Sequence, residues 1–452
     1  MTPLSILYKS TLSATKTMQS NSDSLALAID AKFLPFSDLP IAPNWHFGMK
    51  YFIPEWDDRV DPGYQFLTDS FTPKRDTYAD EKYAHQIYSY PNYDGILVSK
   101  VVVEKSLKKK TNIEKIGGIK EFVRFEGEIM GDCGAFGYIN KPEPPYTTEE
   151  ILEYYEKLGF NYGVSIDHLI VGPFAEQGVR QKRYELTLKN AEDFICKHKV
   201  GKYNFIPIGA AQGWDQLSYA NAVKELIDMG YDYIALGGLA RTPTSKIIEI
   251  LEAIHPHLKN HIRMHLFGVG RINAIPAFRH LGVTSFDSSS PLRSAWLDSA
   301  SNYHSLLGKT YAAVRIPSVE KGGIRIKHLL ETGVPLKILK QLEKDSLKAL
   351  RDFDKGKLSL ETTLEALLTY DDFLELPRNG EVDPLAKAKR QKLHSQKYRQ
   401  LLEDTPWKQC DCVICQEIGV EVVIFRGNDR NRRRGFHNTY VFYKRFKEIL
   451  QV

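Results

Sequence analysis

The chain has little cysteine, no long apolar run and almost no net charge. Five cysteines in 452 residues exclude the disulfide-dense scaffolds of small secreted domains, and an odd number argues against complete pairing. No stretch approaches the roughly 18 consecutive apolar residues of a membrane helix, so neither a spanning segment nor a membrane partner is expected. The 61 Lys plus Arg exceed the 56 Asp plus Glu by only five, which excludes a uniformly polycationic protein and leaves any nucleic-acid signal to local clusters. Residues 1–24 are rich in Ser and Thr, but the run Leu4 to Leu7 is too short for a signal-peptide core and no Arg supports a transit peptide. The expected location is the cytoplasm. What is present, 42% hydrophobic and 26% charged residues, is the composition of an ordinary folded protein.

From about residue 49 to residue 290, short β-branched or apolar runs alternate with amphipathic helical ones. Candidate strands are Met49 to Ile53, Gly95 to Lys100, Glu126 to Gly131, Tyr162 to Ile166, Tyr203 to Ile208, Tyr233 to Leu236, Arg263 to Phe267 and Thr284 to Phe286. Helices lie between them. In Thr147 to Gly159, Thr147 and Glu150 form a capping box, Ile151, Tyr154, Tyr155 and Leu158 mark one face, and Gly159 stops the helix. The same grammar recurs at Asp215 to Gly230 and Thr244 to His255. Eight strands alternating with helices predict a (β/α)8 TIM-type barrel over residues 48–293, after an N-terminal extension (1–47). An appended helical region (294–404), with helices at Pro335 to Phe353 and Ser359 to Leu376, and a small zinc-binding, basic lobe (405–452) follow.

Functional groups in such a barrel gather where strands end and loops begin. Those ends read Gly131-Asp132-Cys133-Gly134-Ala135-Phe136, Ser165-Ile166-Asp167-His168, Ala211-Gln212-Gly213, Gly237-Gly238-Leu239-Ala240, Phe267-Gly268-Val269-Gly270 and Phe286-Asp287, the last running on to Pro291-Leu292-Arg293. One Asp at a strand end reads as a helix N-cap. Three of them beside an amide and bare glycine backbone read as a site. Cys133 next to Asp132 is read as a small buried thiol and His168 as structural. Separately, Cys410-x-Cys412-x2-Cys415 with His437 supplies three thiolates and an imidazole, enough to close a tetrahedral structural zinc site. A carboxylate or water competes with His437 for the fourth position.

These motifs, in this order, resemble the queuine/archaeosine tRNA-guanine transglycosylase superfamily, which exchanges guanine in nucleic acid for a 7-deazaguanine on a (β/α)8 barrel. The segment from Tyr51 to Pro62, and the about 120 residues between Asp287 and Cys410, look more like the DNA-acting branch, the DpdA-type 7-deazaguanine DNA transglycosylases. The resemblance implies that Asp287 is the nucleophile on C1′ and that Asp132 is the general acid/base. Asp167 and Gln212 would read the guanine edge, and the backbone of Gly237 and Gly238 would approach O6. Gly268 and Gly270 would shape a turn under the base. The chain departs from the tRNA enzymes at Cys133 to Gly137, where a base-holding Gln is absent, and at Arg241-Thr-Pro-Thr, where a Gly-Glu pair is usual. Phe136 is either a stacking surface for the base or a buried aromatic.

Local charge supplies the nucleic-acid expectation. Arg426, Arg430, Arg432, Arg433 and Arg434 crowd between Cys415 and His437, a second basic run spans residues 387–399, and Lys105, Lys108, Lys109 and Lys110 form a third cluster. Together with Arg293 they are expected to track phosphates. The resulting expectation is a zinc-containing DNA guanine transglycosylase of a restriction-modification system, acting on DNA and a free 7-deazaguanine base, 7-cyano-7-deazaguanine by resemblance. The resemblance also implies work beside an ATPase partner. The alternatives are a tRNA-guanine transglycosylase and a catalytically silent nucleic-acid-binding subunit.

Overall fold

A computed structural model describes residues 37–331, 333–374 and 384–451; residues 1–36 of the expected N-terminal extension lie outside them. Eight parallel strands close into a barrel in sequence order: β1 (Lys50–Pro54), β2 (Gly95–Ser99), β3 (Glu128–Asp132), β4 (Tyr162–Val164), β5 (Ile206–Ala211), β6 (Tyr233–Leu236), β7 (Arg263–Leu266) and β8 (Ser285–Asp287). β8 pairs back onto β1 with Phe52 opposite Asp287. Followed once round through the pairs, the register slips by eight residues, the shear of a TIM barrel.

Alternation along each strand sorts the side chains into two cores. Phe52, Leu97, Met130, Tyr162, Val164, Ile208, Ala210, Tyr233 and Ala235 fill the lumen. Tyr51, Ile96, Val98, Ile129, Ile234, Met264 and Phe286 face outward into the layer shared with the helices. That layer includes α1 (Lys100–Glu104), α2 (Leu107–Ile116), α3 (Ile119–Val123), α4 (Thr148–Leu158), α5 (Val179–Gly201), α6 (Gln216–Met229), α7 (Thr244–Ile254) and α8 (Ile275–His280). The capping box at Thr147 and Glu150 forms, and Gly159 ends α4 in the left-handed region. One strand lies three residues later than expected. Tyr203 to Phe205 pack against α4 and α5, where Asn204 donates to Glu156 and Phe205 meets the Tyr155 ring, so the barrel edge begins only at Ile206.

Beyond the short α9 (Ser290–Leu297) the chain is mostly helical, with α10 (Ile324–Glu331), α11 (Leu336–Asp354), α12 (Leu360–Leu374), α13 (Pro384–Asp404), α14 (Pro406–Gln409), α15 (Val413–Ile418) and α16 (Gly427–Gln451). The final helix returns to the barrel. Phe442 meets Tyr51 at 5.1 Å and Phe286 at 6.2 Å, and Phe446 meets Phe286 at 5.3 Å. Tyr443 and Lys447 both donate to Asp94, whose other oxygen accepts from the backbone of Tyr51. α16 thus covers the seam where β8 closes on β1. Among the described residues no helix is long and apolar enough to cross a membrane.

The arginine run does not form the expected phosphate surface. Arg426, Arg430, Arg433 and Arg434 are buried. Arg430 bridges Asp69 and Glu421, Arg426 bridges Asp69 and Glu343, Arg433 pairs with Asp429, and Arg434 donates to the carbonyls of Val422, Ile424 and Ala295. Asp69, Glu343 and Ala295 come from segments far away in sequence, so the run looks solvated until the β1–β2 excursion brings Asp69 to it. Lys109 is likewise buried, on Glu55. Arg430→Ala takes one of two cations from each of two buried carboxylates, since Asp69 keeps Arg426 and Glu421 keeps Arg351, and is expected to destabilise the fold by about 3 kcal/mol. Thermal or denaturant unfolding measures that loss, and a change below about 1 kcal/mol would contradict the structural role.

Candidate active site

The ends of β3, β4, β5, β6 and β8 present Asp132, Asp167, Gln212, Gly237-Gly238 and Asp287 at one mouth. Loops after β3 to β6 enclose a cleft of about 960 Å³ whose lining includes Phe136, Phe174, Trp214, Tyr219, Gly238 and Arg241. Phe136 is 66% exposed on this cleft, not buried. That disposes of the alternative in which it is a core aromatic.

Each carboxylate has a different environment. Asp167 accepts from Gln212 Nε2 at 2.6 Å, and desolvation raises its pKa to about 6 against that stabilising bond. Gln212 Oε1 is buried without a partner, as is Asp132 Oδ1. Desolvation raises Asp132 to about 7; the charges of Asp167 and Asp287 push the same way, and bonds from Ser99 and the Gly134 backbone oppose them. Asp287 Oδ1 accepts from the Gly268 backbone N–H at 2.8 Å and from His265 Nε2 at 3.2 Å. Buried groups with open hydrogen-bonding capacity beside carboxylates poised near neutrality are suited to binding a polar heterocycle and moving a proton on it.

Glycine is required where the backbone and Gln212 crowd. A Cβ on Gly237 would lie 2.1 Å from Gln212 Nε2, and Gly238 sits at φ +80°. Tyr219 donates to the Gly237 carbonyl at 2.7 Å and steadies the turn. Gly268, expected only to shape a turn, also donates its N–H to Asp287 from φ +69°. His265 carries no motif of its own in the sequence; strand alternation on β7 is the signal that places it inside the barrel, where it meets Asp287. Cys133 is buried against Tyr155, and its thiol is pushed well above the ordinary range by burial and by Asp167, which leaves no thiolate nucleophile there. His168 is buried with Nε2 on the Lys141 carbonyl, a structural residue.

Arg293 remains at the mouth, its guanidinium 5.4 Å from the exposed Trp56 ring. Arg432 is the least buried of the expected five, beside Asp58 at 3.8 Å. Along α13, Lys389 and Lys392 are exposed, whereas Arg399 pairs with Glu361; the Lys387 side chain lies outside the described residues.

Cys410, Cys412, Cys415 and His437 converge, all buried, with their donor atoms within 4.8 Å of one another. His437 Nδ1 stands 3.5, 3.4 and 3.4 Å from the three sulfurs. A tetrahedral zinc with bonds of about 2.3 Å to sulfur and about 2.0 Å to nitrogen requires separations of roughly 3.5 Å. Nε2 donates to the His304 carbonyl at 2.7 Å, which leaves the Nδ1 lone pair for a metal, and the Tyr303 ring stacks on the imidazole at 4.2 Å. The cluster can hold a metal ion.

Strand-end carboxylates gathered at one barrel mouth beside an open cleft, with a buried Cys3His cluster able to hold a metal ion in the C-terminal lobe, define a barrel enzyme with a separate candidate metal site. Residues 94–451 match the family described as queuine tRNA-ribosyltransferase, and the chain belongs to that family of guanine transglycosylases. It is 39% identical over 421 residues, 89% of this chain and 98% of the relative, to a DNA-guanine transglycosylase of Salmonella montevideo. It is 28% identical over 203 residues, 44% of this chain and 47% of the relative, to a tRNA-guanine(15) transglycosylase of Nanoarchaeum equitans. To a queuine tRNA-ribosyltransferase of Solidesulfovibrio magneticus it is 24% identical over 205 residues, 40% of this chain and 54% of the relative.

The raised pKa of Asp132 has a consequence for stability. The unfolded carboxyl ionises near its usual value and the folded one near 7, so between those values the folded state holds the extra proton and stability falls as pH rises. Asp132→Asn is therefore expected to stabilise the fold at pH 8, on the order of 2–4 kcal/mol, with the advantage gone below about pH 4. Equal melting shifts at both pH values would refute this.

Proposed function

We propose that the protein exchanges guanine in DNA for a free 7-deazaguanine base, with 7-cyano-7-deazaguanine the expected one, as the transferase of a DNA modification or restriction system. The observation that carries the DNA assignment is coverage: likeness to the DNA-guanine transglycosylase runs through 98% of that relative, while the tRNA-acting relatives match over about half of theirs or less. The cleft agrees with a neutral, hydrogen-bond-accepting 7-substituent, because the charged residues along its lining include Arg241 and Lys246, while its carboxylate, Asp215, caps α6.

The chemistry is double displacement. Asp287 attacks C1′ as the C1′–N9 bond breaks, guanine leaves with the bonding pair on N9, and Asp132 delivers the proton. The sugar is then an ester of Asp287. N9 of the incoming base attacks C1′, its proton passes to Asp132, and the Asp287 carboxylate is released with the β-anomer retained. The requirement is that of retaining glycosidases, a nucleophilic carboxylate and an acid/base across the scissile bond. A carboxyl poised near 7 serves both halves, because it is available in either protonation state at working pH.

Asp167 accepts from N1–H and the exocyclic amine, Gln212 donates to O6, and the Gly237 and Gly238 backbone supplies N–H at close range. Phe136 stacks on the base. Below about pH 6 Asp167 takes a proton and loses one acceptor oxygen, so base affinity is expected to fall on the acid side. Flipping the target guanine costs a few kcal/mol in a duplex, which is where an ATPase partner would contribute. Arg293, Arg432 and the exposed lysines of α13 are the remaining basic contacts for the phosphate backbone.

In this reading Cys410, Cys412, Cys415 and His437 hold zinc, which supplies no chemistry at C1′ and ties α16 to the lobe. Metal analysis of the purified protein should give one zinc per chain. Its removal by a strong chelator should unfold the lobe and lower the melting temperature, since binding energy of such a site is folding energy; a chelated, metal-free protein with unchanged melting would overturn the role.

The function itself is tested by incubating the protein, with and without candidate ATPase partners, with labelled 7-cyano-7-deazaguanine and either DNA or tRNA. Label is expected in DNA. Label in tRNA alone would establish the tRNA enzyme, and label in neither, with Asp287→Asn trapping as much covalent adduct as the native protein, would leave a binding subunit.

A further inference from the structure

The barrel lumen is apolar from Phe52 round to Ala235, yet a polar chain runs through it between β6, β7 and β8. Tyr233 OH meets Ser285 Oγ at 2.6 Å, Ser285 Oγ meets His265 Nδ1 at 2.8 Å, and His265 Nε2 meets Asp287 Oδ1 at 3.2 Å. His265 is 0% exposed. Phe267 at 4.9 Å and Phe52 at 5.9 Å hold its ring in edge-to-face contact. A buried imidazole with both nitrogens bonded and two aromatic rings packed against it is held in one orientation.

We infer that His265 is a positioning residue for the nucleophile: with the Gly268 N–H it pins Asp287 Oδ1, so that Oδ2 is the oxygen that attacks C1′. This rests on the reading of Asp287 as nucleophile. The two donors converge on one oxygen, and none of the hydrogen bonds formed by the described residues ends on Oδ2, which is also absent from the sealed, unpartnered atoms. Oδ2 therefore keeps its lone pairs and some access to the mouth.

The upstream partners set the direction of the hydrogens. A carboxylate only accepts, so Nε2 carries the hydrogen that faces Asp287. Nδ1 then accepts from Ser285, and Ser285 accepts from Tyr233, whose hydroxyl is kept protonated because burial pushes its pKa well above the ordinary tyrosine value. Every hydrogen in the chain points toward Asp287. When Oδ2 bonds to C1′, the pinned Oδ1 becomes the ester carbonyl oxygen and retains both donors. The same contacts thus hold the carboxylate before attack and orient the ester for the second displacement, and no proton has to leave the chain.

The test compares His265→Leu, His265→Gln and Ser285→Ala in base exchange, using labelled guanine and the preferred nucleic acid, with Asp287→Asn as reference. A misplaced nucleophile costs on the order of 100-fold in rate. His265→Leu is expected to lose about that much in kcat with KM for base and nucleic acid within about two-fold. His265→Gln, whose amide can donate to Oδ1, should recover at least about ten-fold over Leu, and Ser285→Ala should lose less than Leu because Nε2–H survives. Asp287→Asn abolishes the trapped adduct under the parent reading, whereas His265→Leu still forms it, slowly. The inference is overturned if His265→Leu keeps kcat within about three-fold, if Gln is no better than Leu, or if the loss lies in KM. Should the Leu variant fail to fold, the Gln and Ser285→Ala variants decide by the same kcat-against-KM split. If Asp287→Asn retains the adduct, the parent reading fails instead.

Discussion

The last helix of the chain is what holds the barrel shut. The seam between β8 and β1 exposes Tyr51 and Phe286 on its outer face, and α16 covers them with Phe442 and Phe446. Apolar surface at a barrel seam must be buried by something, and here the cover is encoded more than 130 residues after β8. The helix is fixed at three places: by its arginines on Asp69 and Glu421, by His437 in the Cys3His cluster, and by Tyr443 and Lys447 on Asp94. Asp287 ends the strand at this seam, so the position of this carboxylate depends on α16 staying in place.

A tension runs between that stability and the chemistry at the mouth. Asp132 and Asp167 are desolvated, and both are held above the normal carboxylate range. Among the described residues neither has a cation to neutralise it; Gln212 and Ser99 provide neutral hydrogen bonds instead. A salt bridge would stabilise these carboxylates more and leave them less able to exchange a proton near neutrality. The cations of Arg426, Arg430 and Arg433 are used elsewhere, in buried bridges to Asp69, Glu343, Glu421 and Asp429.

Much of the site could be read from sequence because it follows the grammar of strand ends. Asp132, Asp167, Gln212, Gly237 and Asp287 each close a short apolar run, and a barrel places every such end on the same face. Cys410, Cys412 and Cys415 were legible because three thiols within six residues have few other uses. His265 escaped notice because a single histidine inside a strand has no local signature; its meaning comes from Asp287 on the neighbouring strand. Strand β5 was placed three residues early because Tyr203 and Phe205 have β propensity but are drawn away by packing on Tyr155.

Periodicity and strand-end composition determined by themselves the barrel, the order of its elements, the convergence of the carboxylates and the metal cluster, because each is a property of residues close together in the chain. Only the tertiary structure decided the state of the charges. Whether an arginine is solvated or buried depends on whether a carboxylate from a distant segment reaches it, and Asp69 and Glu343 lie too far from Arg426 in sequence for any local pattern to show the pairing. A feature that was read as a surface for polyanions is, for that reason, the polar core that fastens the final helix to the barrel.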